Sequence, residues 1–213
     1  MKLLLSGGGD SERVTHMDEF FVSKIDLRKT VLYIPVAMED SSIYNECLNW
    51  FRETYFPYGI KSVEMCTDLT TAPNLDLYSA VFISGGNTFK LLKEIKDSCF
   101  DKKLKDYLLN DGFVYGGSAG SIIFGKDIIG TTYGDENNVG LEDTKGLNLV
   151  KGYNICCHYG DGDEANTKYK RDRINTYSEP SDVTIALPDI CAIYVEEDTI
   201  TFLGNGAIMF VRT

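Results

Sequence analysis

The stretch Phe113-Val-Tyr-Gly-Gly-Ser-Ala-Gly-Ser-Ile-Ile-Phe124 is the strongest indication of the fold of this 213-residue chain. A short apolar run bounded by glycines and followed by small and apolar residues predicts a buried strand, a sharp turn and the start of a helix. Ser118 lies at the corner, where the N–H groups of the following residues point towards its side chain. The stretch therefore predicts a nucleophile beside oxyanion donors. Taken alone, the motif also fits a tight or phosphate-binding turn.

Glycines surround this serine at positions where a Cβ would be crowded. Gly117 and Gly120 stand one residue before and two residues after Ser118, and Gly116 with Gly120 completes a Gly-x-Ser-x-Gly pattern. Glycine permits both a strained turn and a helix packed closely against a strand. The spacing favours a nucleophile elbow.

Upstream of the elbow, apolar strands alternate with amphipathic helices. We predict strands at 2–5, 31–36, 59–65 and 80–83, with a glycine turn over 6–10 and a helix after it that carries Val14, Met17 and Phe21. Asn87 or Thr88 is expected to cap a later helix. This alternation indicates an α/β fold, with a mostly parallel sheet sandwiched by helices.

Downstream of the elbow the pattern changes. Residues 125–152 are polar and glycine-bearing and are predicted to form long loops, followed by a strand at 154–158 and a charged helix at 164–177. Segments 183–187, 190–195, 199–202 and 207–211 are predicted to be strands joined by tight turns, which would end the chain in antiparallel hairpins. We expect a single domain over residues 1–213.

Composition excludes several classes of function. Twenty-one Lys and Arg against 32 Asp and Glu give a net charge of −11, which argues against nucleic-acid and anionic-membrane partners. The apolar run at the amino terminus is too short for a signal peptide. Six cysteines without metal-ligand spacing are expected to be reduced, so we predict a cytoplasmic protein without a metal.

A serine nucleophile needs a base, and the chain has only two histidines. His16 lies in an early helix, whereas His158 ends an apolar strand 40 residues after Ser118 and is the predicted base. A carboxylate must then orient the imidazole, and spacing alone does not choose it. The candidates are Asp189 at a strand end and, as competitors, Asp135, Glu136, Asp161 and Asp163.

Two N–H groups are expected to bind the oxyanion. Ala119 follows the nucleophile, and Gly85 or Gly86 ends the neighbouring strand at the same edge of the sheet. A helix-entry turn at Gly85-Gly86 is compatible with that role.

Three segments together resemble the serine peptidase family of aspartyl dipeptidase (dipeptidase E) and cyanophycinase. They are Gly85-Gly86-Asn87-Thr88-Phe89, the elbow Gly117-Ser118-Ala119-Gly120, and His158 followed by the Arg171-x-Arg173-Ile174 helix. Leu187-Pro188-Asp189 and Gly204 resemble the family's ending. The resemblance implies a class I glutamine amidotransferase-like (flavodoxin-like) sandwich.

By the same resemblance Ser118 is the nucleophile and His158 the base. The acid falls on Asp189, where aspartyl dipeptidases typically carry Glu, or on Asp135 after Thr131-Thr132. The aspartyl dipeptidases usually have an aromatic residue where Gly117 stands here.

The resemblance also suggests substrates with an amino-terminal Asp, whose carboxylate would need a positive group. Lys126, Arg171 and Arg173 are candidates, although a solvated helix face also explains the arginines. Asn87 is a further candidate for substrate binding.

The sequence therefore predicts a cytoplasmic serine exopeptidase that hydrolyses short peptides, as a monomer or homodimer and without a metal or organic cofactor. An amidase or esterase would use the same residues. A ligand-binding module without catalysis is the remaining alternative.

Overall fold

The structure, a computed structural model, describes residues 1–9 and 13–212 as a mixed α/β fold with two sheets. Its strands are β1 (Lys2–Ser6), β2 (Val31–Ile34), β3 (Val63–Met65), β4 (Ala80–Ile83), β5 (Phe113–Gly117), β6 (Asn154–Cys156), β7 (Val183–Ala186), β8 (Ala192–Glu196), β9 (Thr199–Leu203) and β10 (Ile208–Val211). Its α-helices are α1 (Thr15–Ser23), α2 (Tyr44–Tyr55), α3 (Thr88–Asp97), α4 (Phe100–Leu109), α5 (Ala119–Ile122) and α6 (Glu164–Tyr177).

The larger sheet has seven strands in the order β3-β2-β4-β5-β1-β8-β9. The first five strands of this order run parallel, which confirms the predicted parallel sheet. β8 is antiparallel to β1, and β9 forms a hairpin with β8. β5 is the central strand, so the turn that follows it lies over the middle of the sheet edge.

Side chains alternate between the two faces of this sheet, as the period of a strand requires. One face packs aromatic residues against α1 and α2, with Phe21 completely buried among the rings of Tyr55, Phe82, Phe113 and Tyr115. The other face is largely aliphatic and is covered by α3, α4 and α5. Helices thus cover both faces, as the sequence predicted.

The smaller sheet corrects one prediction. β10 does not form a hairpin with β9; it pairs antiparallel with β7, and β7 pairs parallel with β6. β10 thereby covers the second edge of β7, whose Ile185 and Ala186 are completely buried and which a β9–β10 hairpin would leave unpaired on that side. α6 covers one face of this sheet through Ile174, which packs with Cys156 and Ala186.

Two other segments differ in extent from their predictions. The strand expected over 59–65 is confined to β3, because Gly59 has a φ of 103° and its N–H closes a turn onto Phe56 O. Residues 125–152 form loops as expected, with one isolated bridge between Asp127 and Lys145. Of the predicted glycine turn, Asp10 lies outside the described residues.

All six cysteines carry free thiols. Within the ranges 1–9 and 13–212, no helix is long and apolar enough to cross a bilayer.

A buried hydrogen bond joins the two helices on the aromatic face. Tyr55 OH in α2 donates to Asp18 Oδ1 in α1 over 2.8 Å, and only 2% of Asp18 is exposed. Burial raises the pKa of Asp18 to about 6, against the lowering effects of the Tyr55 hydrogen bond and of His16. The ionised carboxyl is therefore destabilising in the folded protein.

We expect Asp18→Asn to stabilise the protein at neutral pH. Asp18 loses its proton at about pH 4 in the unfolded chain but near pH 6 when folded, so the folded wild type loses stability as the pH rises through that interval. The free energy of unfolding of the variant should exceed that of the wild type by about 1–3 kcal/mol above pH ~7 and should not exceed it below pH ~4. Urea unfolding at both pH values measures this, and an equal effect at the two values would contradict it.

Candidate active site

The elbow places Ser118 at the corner between β5 and α5. Its backbone has a φ of 50° and a ψ of −113°, a conformation that L residues rarely adopt. The Ser118 N–H donates to Ser6 O in the neighbouring β1 over 3.2 Å. This strained backbone projects the side chain above the edge of the sheet, as the sequence predicted.

The two outer glycines of the motif let α5 approach the sheet. A Cβ on Gly116 would lie 2.2 Å from Gly120 O, and a Cβ on Gly120 would lie 2.3 Å from Ile83 O in β4. Neither contact is sterically possible. The crowding expected at Gly117 is wrong, because a Cβ there would have its nearest neighbours, Ser6 Oγ and the Tyr115 ring, at 3.8 Å. The Gly-x-Ser-x-Gly spacing is thus required by backbone-to-backbone packing on both sides of the serine.

His158 lies two residues beyond β6 and faces Ser118. Its Nε2 is 2.7 Å from Ser118 Oγ. The His158 backbone also has a positive φ, 53°, and its N–H donates to Gly7 O over 3.1 Å. The His158 carbonyl accepts a hydrogen bond from Lys170 Nζ, a side chain that is only 3% exposed.

Asp189 lies three residues beyond β7 and contacts the other ring nitrogen of His158. The distance from Asp189 Oδ1 to His158 Nδ1 is 2.5 Å. Because β6 and β7 are parallel neighbours, the histidine and the aspartate emerge at the same end of the smaller sheet. Ser118, His158 and Asp189 therefore form one hydrogen-bonded line.

Asp161, one of the competing acids, forms its hydrogen bond with the backbone of Asp189. Asp161 Oδ2 accepts a hydrogen bond from the Asp189 N–H over 2.7 Å and lies in a loose ion pair with Arg13 at 3.9 Å. This contact orients the loop that presents Asp189.

Asp135, the other acid suggested by resemblance, has a different contact. Its Oδ2 accepts a hydrogen bond from the Thr88 N–H at the start of α3 over 2.7 Å. The carboxylate that contacts His158 is that of Asp189, so the geometry does not support Asp135 as the acid.

Asn87 also serves α3. Its Oδ1 accepts from Lys90 N as an N-cap, which confirms one of the two predicted caps, and its Nδ2 donates to Glu136 O. The side chain's hydrogen-bonding groups are therefore occupied within the protein.

The predicted cationic residues are engaged away from Ser118. The Arg171 guanidinium lies 5.6 Å from the Phe210 ring centroid, Arg173 Nη2 donates to Ile129 O, and Lys126 pairs with Asp182 at 2.5 Å.

The expected oxyanion donors lie at the elbow. A Cβ on Gly85 would be 3.2 Å from Ser118 Cβ and 3.7 Å from its Oγ, so the two turns are adjacent. Within the described part of the chain, the N–H groups of Gly85, Gly86 and Ala119 have no backbone acceptor. These amides are available to a negatively charged oxygen.

The glycine turn after β1 is a part of the site that the sequence analysis did not assign to it. A Cβ on Gly8 would lie 2.3 Å from His158 Cε1 and 2.9 Å from Asp189 Oδ1, and a Cβ on Gly7 would lie 2.2 Å from Pro188 O. Three consecutive glycines at the carboxyl end of a strand next to β5 were the available signal.

A cleft of about 470 Å³ opens beside Ser118 and His158. We call it the aromatic cleft, because five rings line it, those of Tyr33, Trp50, Tyr55, Phe82 and Tyr115. Asp18, Glu46 and Gly117 also line it. Among the described residues, no group of three or more His, Cys, Asp and Glu side chains gathers as a metal site.

The model of peptidase family S51 matches residues 2–203. The chain belongs to peptidase family S51. This membership confirms the resemblance predicted from the elbow, the Gly85-Gly86 turn and His158.

Two curated relatives agree with the family. A Drosophila melanogaster protein named probable alpha-aspartyl dipeptidase is 30% identical over 143 residues, which cover 67% of this S51 chain and 57% of the relative. An uncharacterized peptidase of Listeria monocytogenes is 29% identical over 150 residues, which cover 67% of this chain and 69% of the relative. The chain thus spans less than two thirds of the Drosophila protein.

Solved structures share the fold. A candidate peptidase E protein from Listeria monocytogenes superposes with a TM-score of 0.75 at 22% identity, covering 96% of this chain and 98% of that one. A peptidase from an acI-B1 actinobacterium gives 0.74 at 14% identity, with coverages of 96% and 87%. At these identities the two structures support the fold alone.

Gly8→Ala is expected to displace the His158 ring and slow the reaction of Ser118 with a fluorophosphonate by about 100-fold, because small misplacements of a catalytic group have effects of that size. The rate of covalent labelling, followed by mass spectrometry, measures this. Gly140→Ala is the matched control, since Gly140 also has a positive φ but nothing within 4 Å of its added Cβ. Equal labelling rates in the two variants would contradict the role of Gly8.

Proposed function

We propose that this chain is a serine exopeptidase that hydrolyses short peptides through a Ser118–His158–Asp189 triad. The observation that carries the proposal is the hydrogen-bonded line of these residues, with 2.7 Å between serine and histidine and 2.5 Å between histidine and aspartate. Membership of a peptidase family supports the reaction class.

In this mechanism Ser118 Oγ attacks the scissile carbonyl while His158 Nε2 takes its proton. His158 then gives that proton to the leaving amine, and an acyl-enzyme remains. Water, deprotonated by His158, attacks the ester and releases the acid. Asp189 holds the imidazole with its Nδ1–H directed at the carboxylate and stabilises the imidazolium.

The tetrahedral intermediates require donors for their oxyanion. We assign this role to the N–H of Ala119 together with that of Gly85 or Gly86. The proximity of Gly85 to Ser118 Oγ and the absence of a backbone acceptor for these amides among the described residues support the assignment.

Cleavage of peptides with an amino-terminal Asp is the finer part of the proposal. Its support is the name of the Drosophila relative. Because Arg171 and Arg173 are engaged elsewhere, the acidic side chain would need another positive group or a solvent-exposed position.

We extend the proposal to the class I glutamine amidotransferase-like fold and to a cytoplasmic monomer or homodimer. A serine elbow at the end of a central parallel strand supports the fold class. Free thiols at all six cysteines are consistent with a reducing compartment.

Substitution of the triad should abolish peptide hydrolysis. We expect Ser118→Ala and His158→Ala to lower turnover by about 10⁶-fold and Asp189→Ala by about 10⁴-fold, the effects typical of a serine, a histidine and an aspartate in a triad. Asp135→Asn, which keeps a hydrogen-bond acceptor for Thr88, is the matched acid control and should retain the activity. Release of free amino acids from dipeptides that begin with Asp, Glu or a neutral residue measures the rates.

Other results of these measurements would change the assigned acid or the proposed reaction. Loss of activity in Asp135→Asn with activity kept in Asp189→Ala would make Asp135 the acid. Hydrolysis of amides or esters but of no peptide would favour an amidase or esterase on the same site. A folded protein in which a fluorophosphonate fails to label Ser118 would favour ligand binding without catalysis.

A further inference from the structure

The rings that line the aromatic cleft pack against one another. The Phe82 and Tyr115 rings stack with centroids 4.4 Å apart, and the Trp50 ring meets those of Tyr55 and Phe82 edge-on at 6.2 Å each. Three of these rings are at most 5% exposed, whereas Trp50 is 43% exposed. Packed rings of this kind present a preformed apolar surface.

The charges of the cleft are acidic. Asp18 and Glu46 line it, and no lysine or arginine is among the described residues that do. A substrate carboxylate inside the cleft would therefore meet like charges without a cation to compensate them. Asp18 already accepts a hydrogen bond from the Tyr55 hydroxyl, so it is not an unpaired anion. The groups that remain for contact with a substrate beside it are the aromatic rings.

Gly117 leaves the passage from Ser118 into the cleft open. It lines the cleft, and a Cβ built on it would have only Ser6 Oγ and the Tyr115 ring within 4 Å, both at 3.8 Å. A larger residue at this position would begin 3.8 Å from the Tyr115 ring and would take up space in the cleft next to Ser118.

We propose that the aromatic cleft binds a neutral aromatic side chain of the peptide substrate and makes the enzyme selective for peptides that carry one. This inference rests on the proposed peptidase function and names its substrate class. A dipeptide presents one side chain on each side of the scissile bond. An aromatic residue in the cleft is therefore compatible with Asp at the other position.

A crossed panel of peptides tests the selectivity. Ala-Ala, Phe-Ala, Ala-Phe, Asp-Ala, Asp-Phe and Ala-Lys are compared by kcat/KM. One of the two positions should favour Phe over Ala by about 10-fold or more, since burial of an aromatic side chain is worth at least one such factor. Equal rates for the Phe and Ala peptides, or a preference for Lys, would overturn the proposal.

Two variants locate the selectivity in the cleft. Trp50→Ala should lower the Phe-to-Ala ratio of kcat/KM about 3- to 10-fold, the size of an aromatic pair contact. Gly117→Leu should lower the same ratio by obstructing the cleft. Phe56→Ala is the matched control, because Phe56 is 39% exposed at the end of the same helix and does not line the cleft. Equal ratios in Trp50→Ala and Phe56→Ala would contradict the assignment.

Binding separates this inference from the proposed function. Trp50 is the only tryptophan of the chain, so its emission reports occupancy of the cleft. In Ser118→Ala, Phe peptides should change this emission at lower concentrations than Ala peptides. If the wild type cleaves no peptide and this difference is seen, the cleft inference stands without the peptidase. If peptides are cleaved and the emission responds equally to Phe and Ala peptides, the peptidase stands without the cleft inference.

Discussion

The close approach of α5 to the central sheet is the constraint on which the site depends. Gly116 and Gly120 allow carbonyl oxygens to occupy the positions where a Cβ would otherwise stand. The helix therefore begins directly at the end of β5, and Ser118 takes a backbone conformation that costs about 1–3 kcal/mol. Hydrogen bonding of its N–H to Ser6 ties that conformation to β1, which also supplies the turn that faces His158.

Much of this arrangement could be predicted because its signals are local. The elbow is indicated by five consecutive residues, Gly116 to Gly120, and alternating strands and helices indicate a parallel sheet. The pairing partner of a strand is not a local property. β10 pairs with β7 although the β8–β9 hairpin lies between them in the chain, and no short sequence pattern predicts that pairing. Spacing along the sequence does not choose among the candidate acids for the same reason, since only the pairing of β6 with β7 brings Asp189 to His158.

The aromatic cleft is a second feature that local sequence patterns do not predict. Tyr33, Phe82 and Tyr115 come from three strands, and Trp50 and Tyr55 come from one helix. Along the chain each ring fits an ordinary core position. Only the sheet order, which places β4 beside both β2 and β5, assembles these residues on one face and leaves a space next to Ser118.

The site is divided between the two sheets. Ser118 follows a strand of the larger sheet, whereas His158 and Asp189 follow neighbouring strands of the smaller one. A rigid-body displacement of one sheet against the other would change the distance from Ser118 Oγ to His158 Nε2 and leave the histidine–aspartate pair intact. The hydrogen bond from the His158 N–H to Gly7 O, in the turn after β1, opposes such a displacement. The turn after β1 therefore holds the histidine of the smaller sheet against the serine of the larger one.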